Sequence, residues 1–421
     1  MNHRRPIVPD SPEPWRRLLA SLLLMTIGSS AMYIVPVMLP AVQTAFGVDR
    51  GAASTPYFAL MLGFGAGTLL MGRLADRFGV MAAVLIGTVG LAVGYALASM
   101  APGITSFIWI HGVVIAMLGA AATFSPLVAD TALWFERRRG IAVAICASGN
   151  YIAGAFWPPV IQALAEAYGW RQTYFGMAIF CALAMPGLAW MLRRRAVLPA
   201  AASTPADTAR ARGPLHERPF GLSPNTALAC LFLAGVACCV AMSMPQVHIV
   251  AYCTDLGYGP ARGAQMMSLM LGFGIVSRLA SGWISDRIGG LRTLMLGSVL
   301  QGLALLMFLP FDGLASLYVI SMLFGLFQGG IVPSYAIIVR EHFPAANMAL
   351  RVSAVLTATM LGMALGGWAS GQIFDLTGSY DAAFVHGVGW NLLNLAIVFT
   401  LWRRWRVRSM PPPALRPARG V

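Results

Sequence analysis

The sequence predicts an all-α membrane protein in which twelve transmembrane helices form two pseudo-symmetric six-helix bundles. Three observations carry that prediction. The chain divides into twelve apolar stretches long enough to cross a bilayer. Its arginines gather on alternate connecting segments. A short loop sequence occurs twice, at GRLADRFG (72–79) and GWISDRIG (282–289), so that Asp76 and Asp286 lie 210 residues apart. Composition agrees: 58% of residues are hydrophobic and 10% charged, against about 25% charged in soluble domains.

The spans run, in order, over 18–40, 55–72, 80–100, 106–134, 140–164 and 172–192, then 226–252, 264–284, 291–310, 314–339, 352–373 and 382–402. They imply an N-terminal tail (1–17), a first bundle (18–193), a linker (194–225), a second bundle (226–403) and a C-terminal tail (404–421). The linker, AVLPAAASTPADTARARGPLHERPFGLSPNT over 196–226, has no sustained apolar run. An even number of spans puts both termini on one side.

The formal charge is +14 and every basic residue is arginine. Placing the termini in the cytoplasm leaves 25 of the 29 arginines there, with Arg50, Arg171 and Arg262 outside and Arg278 within the bilayer. The basicity therefore reports the orientation of a multi-pass protein of the cell inner (plasma) membrane, and no nucleic-acid partner is implied. The first span follows Arg4, Arg5, Arg16 and Arg17 but is longer than a signal-peptide core and lacks a small-residue cleavage site, so it reads as a retained helix. The six cysteines lie in or at the ends of spans and imply no disulfide framework.

The halves resemble each other beyond the loop. MLGFG occurs at 61–65 and 270–274, and YGWRQTYF (168–175) aligns with TGSYDAAF (377–384). Duplication of this kind is typical of secondary transporters, which rock one bundle against the other around a midplane site.

In both loop copies glycine permits a tight turn, while Asp76 and Asp286 can pair with arginines or cap the next helix. Two G-x-x-x-D-R-x-G loops in a duplicated twelve-span chain resemble the major facilitator superfamily over residues 15 to 405. That resemblance implies that Gly72, Asp76, Arg77, Gly79, Gly282, Asp286, Arg287 and Gly289 form the gate motif, the charged pairs latching the cytoplasmic gate in the outward-open state. The alternative is a static loop staple. ALWFERRRGIAVAICASGNYIAGAFWPP (132–159) looks like the matching segment of the monocarboxylate-porter and oxalate/formate-antiporter branch. There Tyr151 matches an aromatic lining the anion cavity, with an ordinary packing role equally open. The Gly-Pro antiporter signature of drug exporters is missing from this helix.

Arg278 interrupts span eight, where an arginine at bilayer depth costs at least about 2.5–3.5 kcal/mol and is retained facing a cavity or a partner. Its helix face carries Gly274, Ser277, Ser281, Gly282 and Ser285, which turns it away from lipid. It lies eight residues before Asp286, about 12 Å along the axis, so snorkelling to the interface is a stretch. A structural ion pair lacks an obvious partner at that depth. In the branch just named an arginine on helix eight anchors the carboxylate, and a guanidinium fork can hold one bidentately.

His248, on the outer part of span seven, can bond substrate, take up a proton or satisfy backbone carbonyls. Tyr33 and Gln328 are candidate cavity residues, and Asp130 is read as a gate ion pair rather than a proton carrier. The branch pattern breaks in three places: Gly274 stands where proton-linked porters carry an Asp, span one has no lysine, and 352–371 lacks the second cation of the oxalate antiporters. One fixed cation favours a monocarboxylate over a dicarboxylate.

GFGAG at 63–67 lies inside a span without G-x-G-x-x-G spacing. With no P-loop, metal-ligand cluster or nucleophile–base set, the chain is not expected to be an enzyme or to need a cofactor or metal. The reading is a secondary active transporter of a small organic anion that works as a monomer in the lipid bilayer, coupled to a counter-anion or proton. Two alternatives are an exporter of amphipathic or neutral compounds and, more remotely, a non-transporting membrane sensor.

Overall fold

The computed structural model describes residues 12–135, 138–194, 218–344 and 347–409. Most of the two tails and of the central linker lies outside them. Among the described residues there is no strand, and twelve helical spans are long and apolar enough to cross a membrane. They are α1 (Glu13–Phe46), α2 (Arg50–Phe78), α3 (Val80–Ser99), α4 (Ile104–Trp134), α5 (Gly140–Tyr168), α6 (Trp170–Trp190), α7 (Pro224–Asp255), α8 (Pro260–Ile288), α9 (Gly290–Met307), α10 (Leu314–His342), α11 (Leu350–Thr377) and α12 (Tyr380–Val407). Helices satisfy their own backbone groups, which is what an apolar environment without water demands. Outward-facing side chains such as Val89 and Leu183 stay exposed and apolar.

Three spans are broken near their middles. α1 is interrupted at Ser29. α4 passes from a π-helical stretch (Ile110–Gly119) through a 3₁₀ turn (Ala120–Thr123) into Ser125–Trp134. α10 breaks at Gly329 and Gly330. Small residues permit each break because another helix fills the space. Gly28 abuts Thr123, so the breaks of α1 and α4 meet, and Gly329 and Gly330 abut the Gly274 carbonyl, Ser277 and Ser281 of α8. Irregular backbone at membrane depth is tolerated where it is buried in protein or lines a cavity.

The halves, α1–α6 and α7–α12, meet through α2 on α11, α5 on α8 and α1 on α7. Glycines set the closeness of these seams. Gly371 lies against Ser54 and Gly51, and Gly367 against Tyr57. These contacts join 50–57 to 367–375, at the end away from the termini. Between described residues, no hydrogen bond joins the halves nearer the termini than the one from Arg278 to Ala147. Toward that end Leu69, Phe78, Leu279 and Trp283 are exposed on α2 and α8. Among the described residues, the side-chain bonds between the halves are therefore concentrated at the far end.

Candidate functional site

Arg278 is half-buried on α8 and faces α5. Its guanidinium carbon sits 4.6 Å from the centre of the Tyr151 ring, a cation–π distance. Nη1 donates to the Ala147 carbonyl at 3.4 Å, a long bond, and Nε is buried without a partner. No carboxylate among the described residues comes within ion-pair reach of it. Gly274 has a steric part in this arrangement, because a Cβ there would run into the Tyr151 ring on which Arg278 stacks. The group is thus a cation in a low-dielectric span with unused donor capacity, the chemistry that binds an anion.

Tyr33 and Asn150 complete the group. The Tyr33 hydroxyl donates to the Asn150 side chain and backbone carbonyl, and it lies within electrostatic reach of Tyr151 and Arg278. α1, α5 and α8 therefore bring Tyr33, Tyr151 and Arg278 together. Gln328 on α10 is fully buried; its oxygen accepts from Gln246 of α7 at 2.9 Å, and its Nε2 has no partner. The two glutamines bond each other and not Arg278.

His248 belongs elsewhere. It is fully buried, and Nε2 lies 2.7 Å from the Gly367 carbonyl, so that nitrogen must carry the proton. In the neutral ring Nδ1 then accepts from the Tyr380 hydroxyl at 3.0 Å. Tyr380 in turn accepts from Arg50 Nη1 at 2.7 Å, and Arg50 grips Asp255 with two bonds of 3.0 Å. Asp375 takes the backbone N–H groups of Arg50 (2.9 Å) and Gly51 (2.6 Å) at the start of α2. This far-end clamp ties α2 of the first half to α7, α11 and α12 of the second.

At the near end, Gly79 and Gly289 adopt φ of +92° and +83°, which glycine reaches without strain. Gly72 and Gly282 face open space. Asp76, Arg77, Asp286 and Arg287 are exposed, and neither aspartate forms an ion pair with a described residue. Arg77 lies over its neighbour Phe78 and Arg287 over Trp283. Asp130 makes a buried two-point pair with Arg17 at 2.7 and 2.8 Å, and Arg17 also stacks on Trp134. That pair joins α1 to α4 within one half.

Asn150, Gln246, Asp255, Asp375 and Tyr380 were not anticipated. A signal for the clamp is present in the sequence: Arg50 is one of three arginines placed on the far side, and RGA at 50–52 recurs at 262–264. TDLG (254–257) and FDLTG (374–378) likewise put an aspartate at the same end of α7 and α11.

The sequence matches the family profile of the Major Facilitator Superfamily over residues 20–320 and 281–420. Monocarboxylate transporter 13 of Bos taurus is 28% identical over 339 residues, covering 78% of this chain and 75% of the relative. The agnestins efflux protein AgnL12 of Paecilomyces divaricatus is 22% identical over 374 residues, covering 87% and 82%. A bacterial homolog of the human lysosomal transporter Spinster, solved in an inward-facing and unoccupied conformation, superposes with a TM-score of 0.73 at 14% identity, covering 96% of this chain and 100% of that one. At that identity it shows the shared fold. The chain belongs to the Major Facilitator Superfamily: it is a multi-pass membrane transporter, not an enzyme, and it is similar to the superfamily's monocarboxylate transporters.

Proposed function

We propose that the protein moves a small monocarboxylate across the inner membrane by alternating access, with Arg278 holding the carboxylate. The observation that carries this reading is the guanidinium without a counter-charge: Nε is buried without a partner, no acid among the described residues is within ion-pair reach, and Tyr151 stacks beneath it. A cation so placed is expensive unless something anionic visits it. Tyr33, Asn150 and Tyr151 lie around it, and one fixed charge suits one carboxylate. The printed names of relatives such as monocarboxylate transporter 13 support the substrate class.

The clamp at Arg50, with no hydrogen bond between the halves nearer the termini than that of Arg278 among the described residues, supports a state open toward the termini, which the arginine distribution assigns to the cytoplasm. In the opposite state the clamp releases, and the Asp76–Arg77 and Asp286–Arg287 loops close the near end. The deciding experiment is uptake of labelled monocarboxylates by proteoliposomes containing wild type or Arg278→Gln. Equal uptake by both would remove Arg278 from the site.

One observation favours a second reading, an exporter of amphipathic compounds: the similarity to a relative named as an efflux protein. Transport inhibited by neutral amphiphiles and indifferent to carboxylates would support it.

A further inference from the structure

A groove of about 470 Å³ lies where the last turns of α12 meet the short segment Pro219–Gly221 that leads into α7. Phe399, Thr400, Arg403, Arg404 and Val407 form one wall, and Phe220 with Gly221 forms the other. We propose that this groove binds one anionic phospholipid, its phosphate held by Arg403 and Arg404 and an acyl chain lying along Phe399.

Depth supports the assignment. Thr400 is twenty residues beyond Tyr380, at the start of α12, which is about 30 Å of helix and matches the hydrocarbon core. The apolar wall thus ends where the headgroups begin, and the two arginines stand at headgroup level. Positions 399, 403 and 407 are spaced by four and share one helix face, so a phenylalanine, a cation and a valine stack along it. Phe399 and Val407 are both exposed, as residues meeting lipid are.

Charge supports it as well. Arg403 and Arg404 are exposed, and neither pairs with a carboxylate among the described residues. The opposite wall is packed against α10. Phe220 has φ of +56°, an unusual value for a bulky residue, and it is buried with its ring 4.8 Å from that of His342. A strained, buried aromatic fixes the groove's width at the place where the second half begins. Basic pockets between transmembrane helices at this depth suit lipid phosphates. The inference is independent of the substrate reading above.

Native mass spectrometry of the intact protein in a non-ionic detergent, titrated with phosphatidylglycerol, tests it. Wild type should retain one tightly held lipid, and Arg403→Gln/Arg404→Gln should bind it about 25-fold more weakly, on the scale of one surface arginine per five-fold. Thr400→Trp, which fills the groove and keeps both charges, should also release the lipid, whereas Arg193→Gln/Arg194→Gln at the same end should leave it bound. Equal loss from the two double variants, retention by Thr400→Trp, or equal binding of phosphatidylcholine would overturn the proposal. Displacement by millimolar inorganic phosphate would do so too, by making the site one for a soluble anion.

Discussion

Replacing Arg278 by glutamine separates a substrate anchor from a structural ion pair, because the two roles predict opposite stability changes. The guanidinium is half-buried, and among the described residues it has no acid partner, only a 3.4 Å bond to Ala147 and the Tyr151 ring. Truncating one member of a buried, hydrogen-bonded charge pair costs about 2–5 kcal/mol. A half-buried group belongs at the lower end, about 2–3 kcal/mol, which is roughly 30- to 150-fold in affinity. Arg278→Gln should therefore raise the KM for a monocarboxylate by that factor in a proteoliposome uptake assay. Arg278→Lys keeps the charge and loses the fork, one charge-assisted bond of about 1.5 kcal/mol, so a roughly ten-fold rise is expected. Thermal unfolding without substrate should show no loss in Arg278→Gln, since the substitution removes a buried unpaired donor. A KM within two-fold of wild type, or a lowered melting point with unchanged KM, would refute the reasoning.

Three other outcomes follow from the geometry. Arg17→Gln strands Asp130 as a buried, unpaired charge and should cost about 3–5 kcal/mol in thermal unfolding, most of it restored in Arg17→Met/Asp130→Leu; a single variant that melts with wild type means the pair does not hold α1 to α4. Arg50→Gln removes the bonds to Asp255 and Tyr380, about 2 kcal/mol or roughly 30-fold in the clamped-to-open ratio; in a Ser54→Cys background it should speed labelling by an impermeant maleimide, and an unchanged rate would show that the far end is held by packing alone. Gly371→Ala puts a methyl against Ser54 and the Arg50 carbonyl and should cost about 1–3 kcal/mol while lowering uptake; neutral behaviour in both assays would mean that the α2–α11 seam can spread.

The architecture was legible because it rests on long signals: apolar length, arginine asymmetry and a repeat of about 210 residues. Arg278 stood out as a candidate because an arginine inside a span has few bland explanations. The breaks in α1, α4 and α10 were not, since small residues like those at Ser29, Gly119–Thr123 and Gly329–Gly330 also occur inside unbroken spans, and they break only where another helix fills the gap. Gly274 illustrates the same limit. From sequence it marks a missing acid, whereas in the fold it is also the space that lets Tyr151 lie under Arg278. His248 titrates in the right range for a proton carrier as a free residue, yet both its ring nitrogens are taken by Gly367 and Tyr380 from helices distant in sequence. The partners of Arg50 come from residues 255, 375 and 380, and no local pattern announces such a convergence.

The far-end clamp is one-sided: its cation comes from the first half and both carboxylates from the second, while the repeat-related Arg262 is exposed and bonds only Gln265 among the described residues. Opening that end returns Arg50, Asp255 and Asp375 to water, where hydration replaces the bonds they lose. The Asp255 side chain is already 34% exposed while that of Arg50 is 8% exposed, so dissolved ions reach the pair from the Asp255 side and weaken it, though less than they would a fully exposed pair. In the proposed alternating-access cycle, high salt in the medium bathing the far face should therefore favour release of the clamp.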